Sequence, residues 1–164
     1  MRRSWSEGRQ PLPTSSEAER EIVVSRAIDA PRRVVFAAYS DPTHLPRWWG
    51  PNGFTLTTRS FEFRPGGVWD FTMHGPDGTD YPNWIEYIDI SPPERIILRH
   101  GSAPDDPDAF TSRVTIEDRG DRSELTLRSL FKTRAQRDEV VERYRAIEGA
   151  EQTLARLADH IETK

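Results

Sequence analysis

The sequence predicts an α+β domain in which a seven-stranded antiparallel sheet curves around a long C-terminal helix, with two short helices after the first strand. Three observations predict it. Apolar residues recur at a spacing of two from about Phe54 to Phe131, broken by Gly, Pro and Asp turn clusters, and this reads as a meander of six strands. They recur at helical spacing between Pro31 and Trp49, and again from about Arg134 onward. At 164 residues the chain has the length of one domain, so both patterns belong to one core. A sheet with an apolar face and a helix with an apolar stripe can bury each other.

Residues 1–17 hold Pro11, Pro13, Thr14, Ser15 and Ser16 without an apolar period, and are expected to form a disordered tail ahead of a single domain over 18–164. In the first strand Ile22, Val24, Arg26 and Ile28 share one face and Val23, Ser25 and Ala27 the other, so it reads as apolar on both sides. Asp29 is placed to cap a helix with Pro31 in its first turn. That helix ends at Asp41-Pro42, because a residue before proline is driven out of the helical region. A second short helix covers 43–49, before Gly50-Pro51-Asn52-Gly53 turns the chain. Phe54 and Leu56 differ in parity from Phe61 and Phe63, which a bulge or bend near Thr58 to Ser60 would reconcile.

Pro65-Gly66-Gly67 then turns into a strand with Trp69, Phe71 and Met73 on one face and Asp70, Thr72 and His74 on the other. Gly75-Pro76-Asp77-Gly78 leads to a strand over 84–90, and Ser91-Pro92-Pro93-Glu94 to its return over 96–100. A polar loop carrying Asp105, Asp106 and Asp108 precedes the last two strands, around 111–117 and 124–131. From near Arg134 the residues Val140, Tyr144, Ile147, Leu154, Leu157 and Ile161 make the stripe of one long helix, with Arg143, Arg145, Glu148 and Arg156 on its polar side. Gly149-Ala150 in its middle marks a close approach by another element or a kink.

Composition excludes several classes of function. A net charge of −4 gives no electrostatic footprint for nucleic acid, and no apolar run is long enough to span a membrane. With no Cys there is no disulfide framework and no thiolate nucleophile, and the polar residues after the basic start do not make a signal peptide, so a cytoplasmic location is expected. His44, His74, His100 and His160 form no metal-ligand spacing, Gly66-Gly67 belongs to no dinucleotide or phosphate loop, and no Ser stands in a Gly-x-Ser-x-Gly frame. Neither a metal nor a cofactor is expected.

The blocks Ala30 to Tyr39, Asp41-Pro42, Arg47-Trp48-Trp49-Gly50-Pro51, Arg64 to Trp69, Pro92-Pro93-Glu94-Arg95-Ile96 and Glu148 to Leu157, in this order and spacing, resemble a known family. The chain is similar, over about residues 20–162, to the SRPBCC (START/Bet v-like) superfamily, in the branch resembling the C-terminal domain of the activator of heat shock protein 90 ATPase. The resemblance implies the helix-grip fold, with a pocket between sheet and terminal helix beneath the two small helices. It implies no catalytic signature, since relatives include lipid carriers, hormone receptors, polyketide cyclases and co-chaperones. Trp84 stands where many relatives have a small or polar residue, which implies a narrower pocket or a lid contact.

The candidate pocket residues are Trp48 and Trp49 from the roof, Trp69, Phe71, Met73, Trp84 and Tyr87 from the sheet, and Tyr144 from the terminal helix. Arg64 and His100 are the candidate polar anchors, and His74 or His100 is placed to act as a general base where it faces the cavity. The expected role is binding a small, apolar or aromatic molecule. A cyclase, dehydratase or isomerase using the same pocket and a co-chaperone-like interaction module are the alternatives, and homodimerisation is left open.

Overall fold

Residues 17–163 of the chain are described in a computed structural model. Of the expected disordered tail, only Glu17 falls among them: it opens a helical turn over 17–19, closed by the Arg20 N–H on the Glu17 carbonyl at 2.9 Å. The remainder of that tail lies outside the described residues.

The order of elements is β1 (Glu21–Ile28), α1 (Arg32–Ser40), α2 (Leu45–Trp48), β2 (Thr55–Phe61), β3 (Val68–His74), β4 (Asp80–Ser91), β5 (Arg95–Gly101), β6 (Phe110–Asp118), β7 (Ser123–Leu130), α3 (Arg134–Arg143) and α4 (Ala146–Glu162). The strands form one antiparallel sheet in the order β1-β7-β6-β5-β4-β3-β2. Consecutive strands β1 and β2 therefore stand at opposite edges, and α1 and α2, which connect them, cross the inner face and touch α4. The core lies between that face and α4, with Leu154, Leu157, Ala158 and Ile161 facing inward from the helix.

Several expectations are corrected. In β1 Ile22, Val24 and Ile28 are buried but Val23 is 45% exposed, because β1 is an edge strand whose other face meets solvent. Pro31, not Asp29, occupies the N-cap of α1 and no side chain caps it; the Asp29 N–H instead donates to Glu162 at the end of α4. α2 keeps only four residues of the expected 43–49. The bulge in β2 falls between Thr58 and Ser60, where the change of parity required it. A second bulge, between Tyr87 and Asp89, puts Ile88 into solvent.

The long terminal helix is two helices. Thr133 caps α3, its hydroxyl accepting from the Gln136 N–H at 3.0 Å. α3 buries no residue, and the helix stops at Tyr144. Arg145 then takes a left-handed conformation, with φ 54°, before α4 begins. One such residue leaves the spacing of apolar positions nearly intact, so periodicity conceals the break. Gly149, where a kink was an option, lies within regular α4. A Cβ there would sit 3.4 Å from Pro51, so the glycine marks a close approach. His44 and His160, from α2's N-terminal cap and the end of α4, bond to each other through Nδ1 and Nε2 at 2.8 Å.

Candidate functional site: a cavity beneath the first turns of α4

A cavity of about 270 Å³ lies between the inner face of β5, β6, β7 and β1, the first half of α4 and the roof made by α2 and its following loop. Its existence follows from side-chain size. Where α4 passes over it, the helix presents Ala146, Gly149, Ala150 and Thr153, and the sheet opposite presents Ser112 and Ser129. Short side chains on both layers leave a gap that Leu or Phe would close.

The roof is held by two devices. Gly50 has φ 102°, a left-handed conformation that side-chain-bearing residues rarely adopt, so the backbone selects glycine; a Cβ there would lie 2.6 Å from the flexible end of Met73, which would have to shift. Arg156, from α4, donates through Nη1 to the carbonyls of Gly50 and Pro51, both at 2.9 Å, and to that of Trp49 at 3.4 Å. These charge-assisted bonds fasten the loop to the helix. Trp48 is fully buried, its indole N–H donating to the Ala38 carbonyl at 3.2 Å. Trp49 is the hub beside it, with ring centroids 4.9 Å from Trp69, 6.1 Å from Phe71, and 6.4 Å from both Tyr39 and His100.

Polar groups on the wall are few. His100 Nε2 lies 2.7 Å from Asn83 Oδ1, while the Asn83 amide nitrogen donates to the Tyr81 carbonyl at 2.9 Å. The amide oxygen thus faces the ring, so Nε2 carries the proton and Nδ1 is a bare acceptor in the neutral imidazole. Burial pushes the His100 pKa down to about 4, against the opposing pull of the Asp106 carboxylate. That carboxylate is itself held low by backbone bonds from Ser102 and Asp108 at 2.8 Å, which make the acidic loop a tight turn beside the strand end. Tyr39 is buried on the wall; loss of water raises its pKa and keeps its O–H protonated. Ser112 and Ser129 bond to each other at 3.0 Å, and Thr153 donates to the Gly149 carbonyl.

Of the expected pocket residues, Trp48, Trp49, Met73, His100 and Tyr144 line the cavity. Tyr144 does so from the mouth, 62% exposed, because it ends α3 and lies outside the core stripe. Trp69 and Phe71 stack on each other at 3.7 Å and back the Trp49 ring, so they form the layer behind the wall. Tyr87 is buried further along, against Phe61 and Phe63. Trp84 is not at the cavity: it alternates with the inward-facing Ile85 and Tyr87 and pairs across β3 with Asp70, on the outer face. Arg64 is not there either, being exposed in the β2–β3 connection beside Glu62 at 3.4 Å. His74 is on the outside, between Thr57 and Asp80. Sequence reading missed Tyr39, Ser112, Ser129 and the tethering role of Arg156. A Tyr in the helical stripe next to Ala38 was the available signal for the first; the others carry none.

A family profile described as Activator of Hsp90 ATPase homolog 1-like protein matches residues 29–162. The chain belongs to this family. Solved structures share the fold. A protein from Arthrobacter aurescens is 26% identical over 90% of this chain and 88% of its own, with a TM-score of 0.83. Protein Ms6760 from Mycobacterium smegmatis is 22% identical over 90% and 94%, with a TM-score of 0.79. The AHSA1 protein from Silicibacter pomeroyi is 22% identical over 87% and 98%, with a TM-score of 0.71. The last two are similar in fold. No match was found among curated proteins. Among the described residues no helix is long and apolar enough to cross a membrane.

Proposed function

We propose that this AHSA1-like domain binds a small, largely apolar molecule in the cavity beneath α4. One observation carries the reading: a gap of about 270 Å³, walled by apolar side chains from sheet, roof and helix, lies beside the buried core. Protein interiors are close-packed, and a hollow of this size with a few polar groups on its wall has the character of a ligand site. A proton-transfer enzyme of the cyclase, dehydratase or isomerase type would use the same space. Its base would have to be His100, and a base held near pH 4 is weak at neutral pH, so binding is the favoured activity.

Native mass spectrometry of protein purified from its own host tests this, together with titration of neutral polycyclic aromatics followed by Trp emission. A co-purified small molecule or a saturable change is expected, and Ala150→Leu should abolish it. Absence of both across all compounds would sink the reading. Family membership favours a second reading, contact with a heat shock protein 90 homologue through the sheet's outer face, where Trp84 is half-buried. A pull-down lost in Trp84→Ala but retained in Ala150→Leu would support it.

A further inference from the structure

The cavity wall has an uneven inventory of hydrogen-bonding groups. His100 is fixed by Asn83 with its proton on Nε2, and among the described residues Nδ1 has no hydrogen-bond partner. The Tyr39 hydroxyl also has none among them, though the residue is only 5% exposed. His100 is half-buried, and an acceptor without a protein partner on so apolar a wall is the group that a ligand donor would meet. Ser112 and Ser129 partly satisfy each other, and Thr153 has spent its proton on the helix backbone. The wall thus offers one fixed acceptor, and hydroxyls that can accept or donate.

Charge is excluded from the interior. Arg145 is the charged residue on the wall, but its side chain is 77% exposed and lies 3.7 Å from Glu148. The guanidinium of Arg156 is taken up by roof carbonyls. A carboxylate or ammonium inside would lose its hydration without gaining a counterion. Flat apolar surfaces surround the acceptor, since the His100 ring lies 5.1 Å from Phe110, 6.4 Å from Trp49 and 6.5 Å from Phe71. The volume of about 270 Å³ is just under the span of roughly 300–1,000 Å³ usual for small-molecule sites, which suits one or two fused rings.

Resting on the reading of the cavity as a ligand site, we propose that its ligand is a neutral aromatic alcohol, a phenol in chemical class, whose O–H donates to His100 Nδ1. The ring lies against Trp49 and Phe110. The Tyr39 hydroxyl is the second wall group able to meet the ligand's oxygen.

Calorimetric titration of the full chain at pH 7 with 2-naphthol, 2-methoxynaphthalene, naphthalene and 2-naphthoate tests the assignment. 2-Naphthol is expected to bind about tenfold more tightly than its methyl ether, which keeps the oxygen but lacks the proton, and 2-naphthoate should bind worst. In His100→Phe the alcohol and the ether should bind alike. A measurement independent of that variant's folding is the ¹⁵N resonance of His100 Nδ1 in the unaltered protein, which should move upfield with 2-naphthol and stay in place with the ether. Equal affinities for alcohol and ether, a preference for 2-naphthoate, or an unmoved Nδ1 resonance overturns the assignment while naphthalene binding leaves the ligand-site reading standing. No binding of any of the four overturns both.

Discussion

The two halves of α4 face the same sheet, and only one of them fills the space between. From Leu154 to Ile161 the inward side chains Leu154, Leu157 and Ile161 are large, with Ala158 between them, and Leu157 is fully buried. From Ala146 to Thr153 the same side of the helix carries Ala, Gly, Ala and Thr, facing serines on β6 and β7, and the cavity results. Filled core and empty space are thus assigned to successive stretches of one helix by side-chain volume. One turn of helix separates the part that holds the fold together from the part that leaves room.

Substitutions on the two halves should therefore diverge. Leu157→Ala removes a fully buried side chain from the filled half and should cost about 3 kcal/mol, read as a fall in the urea midpoint. A loss below 1 kcal/mol would mean that the filled half is not tightly packed. Acidification probes the other half through His100. Its folded pKa of about 4 lies below the ordinary 6.5, so between those values the unfolded chain binds more protons. Stability is then complete above about pH 6.5 and falls as the pH drops toward 4, by up to roughly 3 kcal/mol. That pKa already includes the opposing pull of the Asp106 carboxylate, and His100→Phe should flatten the loss over that window. A pH scan of unfolding free energy in both proteins checks it.

Smaller effects sharpen the contrast. Arg156→Met keeps the stem and deletes the donors to the Gly50 and Pro51 carbonyls; about 2 kcal/mol should be lost, and a bound aromatic should dissociate faster in stopped-flow. Ala150→Leu places methyl groups into empty space and should change stability by less than about 1 kcal/mol while removing ligand affinity. If that variant were strongly destabilised, the gap would be too small or misplaced to admit a ligand.

The sequence carried the filled half better than the hollow one. The Leu154, Leu157 and Ile161 stripe, the parity switch that required the bulge at Thr58–Ser60, and the turn clusters all leave periodic or compositional traces. A cavity leaves none, because it consists of absent atoms: Ser112 and Ser129 meet across β6 and β7 only once the register is known. Trp84 shows a related limit. Alternation in β4 sorts residues into two faces without saying which face is concave, and Trp84 fell on the outer one. Tyr144 lines the cavity as expected but was put in the stripe of one continuous helix, because a single left-handed residue at Arg145 breaks a helix without breaking its spacing. Arg156 reads as one more exposed cation until the roof carbonyls over 100 residues earlier are brought beneath it.

The placement of β1 and β2 at opposite edges of the sheet bears on how the chain is made. β1 pairs only with β7, Ile22 opposite Ser129 and Val24 opposite Leu127, so its backbone has no sheet partner until β7 has left the ribosome, and its apolar face is covered later still, by α4. β2 to β6 can assemble by adding neighbours in turn, whereas the first strand must wait for nearly the whole chain and then close a loop of about a hundred residues. Ile22, Val24 and Ile28 are therefore among the core residues left uncovered longest, and the grip closes only when α4 reaches them.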